Sequence, residues 1–248
     1  MSSRTGNEPD QLELQRRLLA ALSDDLSLPL LQIRTTIESL KRPGVKADLL
    51  EARTRSLASH VETGLQLVEA YRLALRASDG AQLQLEPVTI SSVLNDVAQE
   101  LDPYAKQYAT KLEVDVTGRL SPVLANKATL SAAMQCLGAS IIRAQAAQSR
   151  RKGYRVLLAA HRAPDNLITT GVFSNTEGLT DHALRSARGL VGKARQPIPA
   201  LPAGSASGVL IADMLCAVMW QPLRQAAHRQ LHGLATVVPV TSQLRFVG

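Results

Sequence analysis

The stretch SDDLSLPL, residues Ser23 to Leu30, places two adjacent carboxylates, Asp24 and Asp25, about one helical turn ahead of a proline. The apolar pattern runs straight through it. Leu12, Leu19, Leu22, Leu26, Leu30, Ile33, Ile37 and Leu40 follow one another at gaps of three, four or seven residues, which is one face of a helix. Pro29 removes a backbone hydrogen bond and crowds the carbonyl of Asp25, at a cost of roughly 3 kcal/mol. The spacing therefore predicts a kinked helix with its local fault on the turn that carries the acidic pair. Pro43 and Gly44 end it. A second series, Leu50, Leu57, Val61, Leu65, Val68, Tyr71 and Leu75, then continues at helical spacing. Two long helices make a hairpin, and one hairpin cannot bury two wide apolar stripes, so dimerisation into a four-helix bundle is expected.

After RASDGAQ the texture changes to short alternating segments. LQLEPVTI and KLEVDV read as strands, Ser91 to Tyr108 as a helix, and Lys127 to Ala147 as another. YRVLLAAH, LITTGVF and LATVVPV are further strands. Arg188 to Gly208, rich in Gly, Pro and Ala, reads as a loop, and Val209 to about His228 as an apolar helix. The pattern predicts an α+β chain: residues 1–8 a flexible N-terminus, 9–78 the helical hairpin, and 83–248 an α/β sandwich with helices on one face of a mixed sheet. Two basic clusters, Arg150, Arg151, Lys152 and Arg155, and Arg185, Arg188, Lys193 and Arg195, are read as solvated loop charge.

The chain has 248 residues, 45% of them hydrophobic and only 3% aromatic. A core of that size must be built from Leu, Val, Ile and Ala, which leans towards helix. No long uncharged apolar run and no apolar N-terminal leader is present, so a cytoplasmic protein without membrane attachment is expected. Cys136 and Cys216 lie in apolar helix-like stretches and read as buried thiols. The net charge of +7 favours acidic partners, protein or nucleic acid. The basic clusters lack interleaved aromatics and no helix is a basic reading helix, so nucleic-acid binding stands as the alternative. His228 and His232 are four apart, a metal-compatible spacing on a helix, but no third ligand is near and no metal is expected.

A helical hairpin, an α/β sandwich, and Ser-acid-acid-Leu-x-x-Pro-Leu in the first helix together resemble the cytoplasmic core of sensor histidine kinases. In that family the first helix carries SHELRTPL or close variants. Ser23, Leu26, Pro29 and Leu30 match, Asp25 keeps the acidic position, and Asp24 stands in place of the phosphoacceptor histidine. The stretch from Leu83 to Gln107 is similar to the opening strand and helix of the family's ATP-binding domain, of the GHKL (Bergerat) type. The resemblance spans about residues 12 to 245.

The resemblance also implies which residues should carry chemistry, and most of them are replaced. An aspartate at 24 is anionic and a weak nucleophile towards a polyanion. Leu28 stands where the family has the Thr or Asn that positions a water for dephosphorylation. Ser140 replaces the asparagine that holds Mg²⁺, and its hydroxyl is the shorter and poorer ligand. Ser174, Thr176 and Gly178 occupy the three positions of the DxGxG box, where only Gly178 is kept. Gly208 remains from the later glycine-rich box, with Leu210 in place of a second glycine, and a Cβ there obstructs backbone approach to phosphate. The expectation is a homodimeric pseudokinase with no catalytic residues and no nucleotide cofactor. It would act as a scaffold that docks a receiver-domain protein at Asp24, Asp25, Leu28 and Pro29. A phosphotransfer relay is the remaining alternative, and it would need Asp24 or His60, the latter read as a surface histidine on the second helix.

Overall fold

The computed structural model describes residues 23, 26, 27, 30–41, 47–78, 83–148, 154–190 and 206–241. Asp24, Asp25, Leu28 and Pro29 lie outside the described residues, as do Arg150, Arg151, Lys152, Lys193 and Arg195. Residues 30–40 form helix α1 and Ala47–Ser78 form α2. The two run antiparallel. Arg53 Nη1 donates to Ser39 O at 2.5 Å near the turn, and a Cβ at Gly64 would lie 4.0 Å from Leu26 Cδ2 further along.

The sandwich continues as β1 (Glu86–Val88), α3 (Ile90–Gln107), β2 (Thr110–Thr117), β3 (Val123–Ala125), α4 (Lys127–Gln148), β4 (Tyr154–Ala163), β5 (Leu167–Ser174), α5 (Asp181–Leu190), α6 (Ala206–Met219), β6 (Arg224–His228) and β7 (Leu231–Pro239). Helix α3 shows why the local pattern folds as it does. Ile90, Val93, Leu94, Val97, Leu101 and Ala105 recur at helical spacing, and all are buried,. Five strands form one mixed sheet in the order β2-β4-β5-β7-β6, parallel between β2 and β4 and antiparallel elsewhere. β1 and β3 form a separate antiparallel pair, joined to the end of β7 by a bridge between Val123 and Val240.

Alternation along the strands sorts their side chains onto two faces. Val156, Leu158, Ala160, Val172 and Leu234 meet the helices in the main core, whereas Leu157, Ala159, Phe173, Leu231 and Ala235 form a second cluster on the opposite face. Residues 139–142 of α4 and 209–213 of α6 are buried consecutively. A helix buried on successive residues is covered on all sides. The third cover is α2, whose Tyr71 is 2% exposed and belongs to the main core, with Leu75 packed against it. The hairpin thus contributes an outer layer over α4 and α6.

Three expectations are corrected. Val209 to His228 is not one helix: α6 ends at Met219 and Arg224–His228 is a strand. Pro222 cannot donate to a helix and forces the residue before it towards extended backbone, so the chain leaves the helix there. His228 and His232 consequently sit on opposite strands of a hairpin, with Ala227 opposite His232. Arg188 is not in a loop, since α5 runs from Asp181 to Leu190.

Candidate functional site

Ser140 and Gly208, predicted to belong to one nucleotide site, are in direct contact. Ser140 is fully buried in the middle of α4, and a Cβ on Gly208 would fall 2.0 Å from its Oγ and 2.7 Å from Cys136 O. Gly208 therefore serves close packing of α6 on α4. A guanidinium lies on the same spot. Arg143, one turn along α4, donates from Nη2 to Ser140 Oγ at 3.4 Å and from Nη1 to the Tyr104 hydroxyl at 3.3 Å. Burial holds the Tyr104 hydroxyl protonated far above its ordinary range,, so its oxygen accepts from Arg143 as a neutral phenol.

Ser174 and Thr176 close on each other. Ser174 Oγ lies 2.7 Å from Thr176 Oγ1 and accepts from Thr176 N at 3.0 Å. Both residues are buried, and this short turn satisfies their hydroxyls internally,. Gly178, with φ of 84°, takes the left-handed conformation that the following exposed turn requires,. Thr180 then opens α5 by accepting from Ala183 N at 3.1 Å,.

Two polar constellations are not assembled from sequence, although Arg188 and His228 are each singled out there for another reason. Arg188 holds Asp213 through two bonds of 2.7 Å and also donates to Leu223 O at 2.7 Å, while Leu223 N donates to Asp213 at 2.8 Å. These contacts clamp α5, α6 and the segment entering β6. The carboxylate raises the Arg188 guanidinium further above its ordinary value. Nearby, burial and then Asp213 push the Cys216 thiol well above its ordinary range, which leaves it inert,. The available signal was Asp213 itself, one acid in the otherwise apolar run VLIADMLCAVM.

The second constellation lies on the outer face of the sheet. Asp115 on edge strand β2 accepts from His228 Nε2 at 2.9 Å and from Arg229 Nε and Nη2 at 2.7 and 2.9 Å. His228 Nδ1 lies 2.9 Å from His161 Nδ1, and its ring centroid is 5.4 Å from that of Phe173, with the two planes tilted by 39°. Since β2 and β6 are the two edges of the sheet, the sheet curls until its edges meet through side chains. Of the predicted charge clusters, Arg155 is also ion-paired, to Glu113 at 2.5 Å. His60 is half-buried beside Ser56 at 3.1 Å, not a free surface group. Among the described residues no group of three or more His, Cys, Asp or Glu side chains is placed to hold a metal, and no helix is long and apolar enough to cross a membrane.

Several solved structures share this architecture. Full-length ShkA in complex with AMPPNP superposes with a TM-score of 0.55 at 17% identity over 93% of this chain, which spans 45% of that kinase. The Acinetobacter baumannii histidine kinase AdeS gives 0.55 at 14% identity, covering 88% of this chain and 98% of that one. The chain has the histidine-kinase core fold. Histidine kinase ThkA in complex with response regulator protein TrrA superposes at 0.58 and 9% identity, over 99% of this chain and 70% of that one. No sequence-family model and no curated protein matches the chain. On the histidine-kinase fold, the structure brings Ser140 and Gly208 together and joins Ser174 to Thr176.

Proposed function

We propose that this protein is a histidine-kinase-like scaffold that works by binding, without nucleotide chemistry. One observation carries the reading: the Arg143 guanidinium stands 3.4 Å from Ser140 Oγ, at the position where the resemblance implies a Mg²⁺ ligand. A fixed cation there repels a dication. Gly208 is in contact with Ser140 and Cys136 rather than open to a phosphate. The Ser174 hydroxyl is engaged with Thr176 in place of an adenine-binding carboxylate. These residues do not fit Mg²⁺-ATP.

Two further features support binding as the activity. The hairpin exposes Leu30, Leu31, Leu49, Leu50, Leu65 and Val68, with Leu30 and Leu65 at 59% and 60%. A second copy of the same hairpin would cover such a stripe, which makes the working form a homodimer with a four-helix bundle. ThkA, of the same fold, was solved with a response regulator, so the proposed partner is a receiver-domain protein. Asp24 and Asp25 would offer it a permanent negative patch beside Leu28 and Pro29.

The test has two arms. Purified chain incubated with γ-labelled ATP and Mg²⁺ is expected to take up no label, and a fluorescent ATP analogue to show no saturable binding. Label on the polypeptide or micromolar nucleotide affinity overturns the reading. Mixed with a phosphorylated receiver-domain protein, the chain is expected to co-elute as a dimer-containing complex with the phosphoryl group still on the receiver. Transfer to this chain would instead establish the relay.

A further inference from the structure

The outer face of the curled sheet carries a depression of about 420 Å³ lined by Arg155, Leu157, Asn175, Arg229, Gln230 and Leu231. Asn175 lies between Ser174 and Thr176 in sequence, but it shares this pocket with Leu157, whose cluster is on the face away from the helices. The site is therefore separate from the Ser140 and Gly208 contact. Its floor is apolar: Leu157 and Leu231 are 2% and 9% exposed and pack with Phe173.

The rim is cationic and held in place. Arg155 Nε is bound to Glu113 at 2.5 Å, and Arg229 grips Asp115 through Nε and Nη2. A guanidinium has five N–H donors. The first ion pair uses one of them and the second uses two, so both side chains are oriented by carboxylates and retain donors for a ligand. Among the described residues, the ion pairs on this face join three cations, Lys111, Arg155 and Arg229, to two carboxylates, Glu113 and Asp115. Asn175 and Gln230 add exposed amide side chains.

The combination selects among ligand classes. The charged groups that line the depression are both guanidinium groups with N–H donors to spare, which favours an anion over a cation, and no aromatic side chain is among the described lining residues to stack a nucleobase,. The volume lies in the range of small-ligand sites, roughly 300 to 1,000 Å³. We infer that the depression binds a small organic anion, a carboxylate or phosphate monoester, with its charge between Arg155 and Arg229 and its apolar body on Leu157 and Leu231. This activity is additional to the scaffold role and does not rest on it.

Titration calorimetry of the full chain with benzoate, phenyl phosphate and benzyl alcohol tests the inference. Saturable binding of at least one of the two anions is expected, and none of the uncharged alcohol. Whichever anion binds identifies the headgroup. Arg155→Met should weaken that binding about tenfold through the lost charge-assisted contact. Asn175→Asp, at an exposed position outside the ion pairs, should weaken it by repulsion while leaving the fold intact. No saturable binding of either anion up to about 10 mM, equivalent to only about 3 kcal/mol, overturns the inference. So does an affinity unchanged in both variants.

Discussion

At Gly208 the side chain is missing because there is no space for one. A Cβ would sit 2.0 Å from Ser140 Oγ and 2.7 Å from the Cys136 carbonyl oxygen, and the second of these is backbone that cannot rotate away. Gly208→Ala should therefore destabilise the chain by about 1–3 kcal/mol, the usual range for overpacking a close contact, measured as a lowered urea midpoint. The opposite result, a gain in stability through reduced chain entropy, would mean that α6 is not seated as closely on α4 as described. The position was legible in the sequence as a glycine that mattered, but for a reason that the structure changes. Spacing alone marks a small residue without saying whether a phosphate or a neighbouring helix needs the room. Ser140 carried the same ambiguity: a serine within an apolar helix is read as a lost ligand, whereas its actual partner, Arg143, is three residues away in the same helix.

Element by element, the strands and helices whose apolar spacing is long and regular were readable, because periodicity needs no tertiary partner. α2, α3, α4, β4 and β5 fall close to where the pattern predicts them. The failures share a physical cause. Residues 209–228 are apolar enough to read as one helix, and only Pro222 signals that the chain turns into a strand paired with β7. α5 was missed because its ten residues offer only a short apolar stripe, Ala183, Leu184 and Ala187, which the core buries and to which Arg188 on Asp213 adds a polar hold. The layering of α2 over α4 and α6 was also invisible, since nothing local to Tyr71 distinguishes a bundle contact from a contact with the sandwich. Tyr71 gives that layer a measurable consequence. Truncating a large, 2%-exposed side chain leaves a cavity, and Tyr71→Ala should cost about 3–5 kcal/mol. The loss should appear in the unfolding of the sandwich as well as the hairpin, so near-ultraviolet dichroism of Trp220 should report the same lowered midpoint as the far-ultraviolet helix signal. Two separated transitions would show that the hairpin is not part of the core.

At the scale of the whole molecule, the curled sheet closes through side chains where a complete barrel would use backbone hydrogen bonds. Gly171 and Gly233 permit the curl: a Cβ at either would meet the neighbouring strand's backbone, at 2.2 Å from Leu234 O and 2.0 Å from Val172 O. The closure runs from Asp115 on β2 through His228 to His161 on β4, with Arg229 on the same carboxylate and Phe173 of β5 against the His228 ring. Its chemistry makes the fold sensitive to pH. His228 Nε2 faces a carboxylate and carries a proton, so the facing pair of Nδ1 atoms, 2.9 Å apart, has room for one proton and not two,. Burial first, and His228 second, lower the His161 pKa from its ordinary 6.5. A base whose folded-state pKa is depressed binds its proton more tightly when unfolded, so stability is full above 6.5 and declines as pH falls through that value. His60, also lowered by burial, contributes with the same sign from α2. The urea midpoint of the full chain should consequently fall between about pH 8 and pH 5.5, the window that spans the ordinary histidine pKa. His161→Gln retains a hydrogen-bonding side chain but cannot titrate, and it should flatten the part of that slope beyond the His60 contribution. An identical slope in the variant would mean that protonation of His161 does not strain its contact with His228.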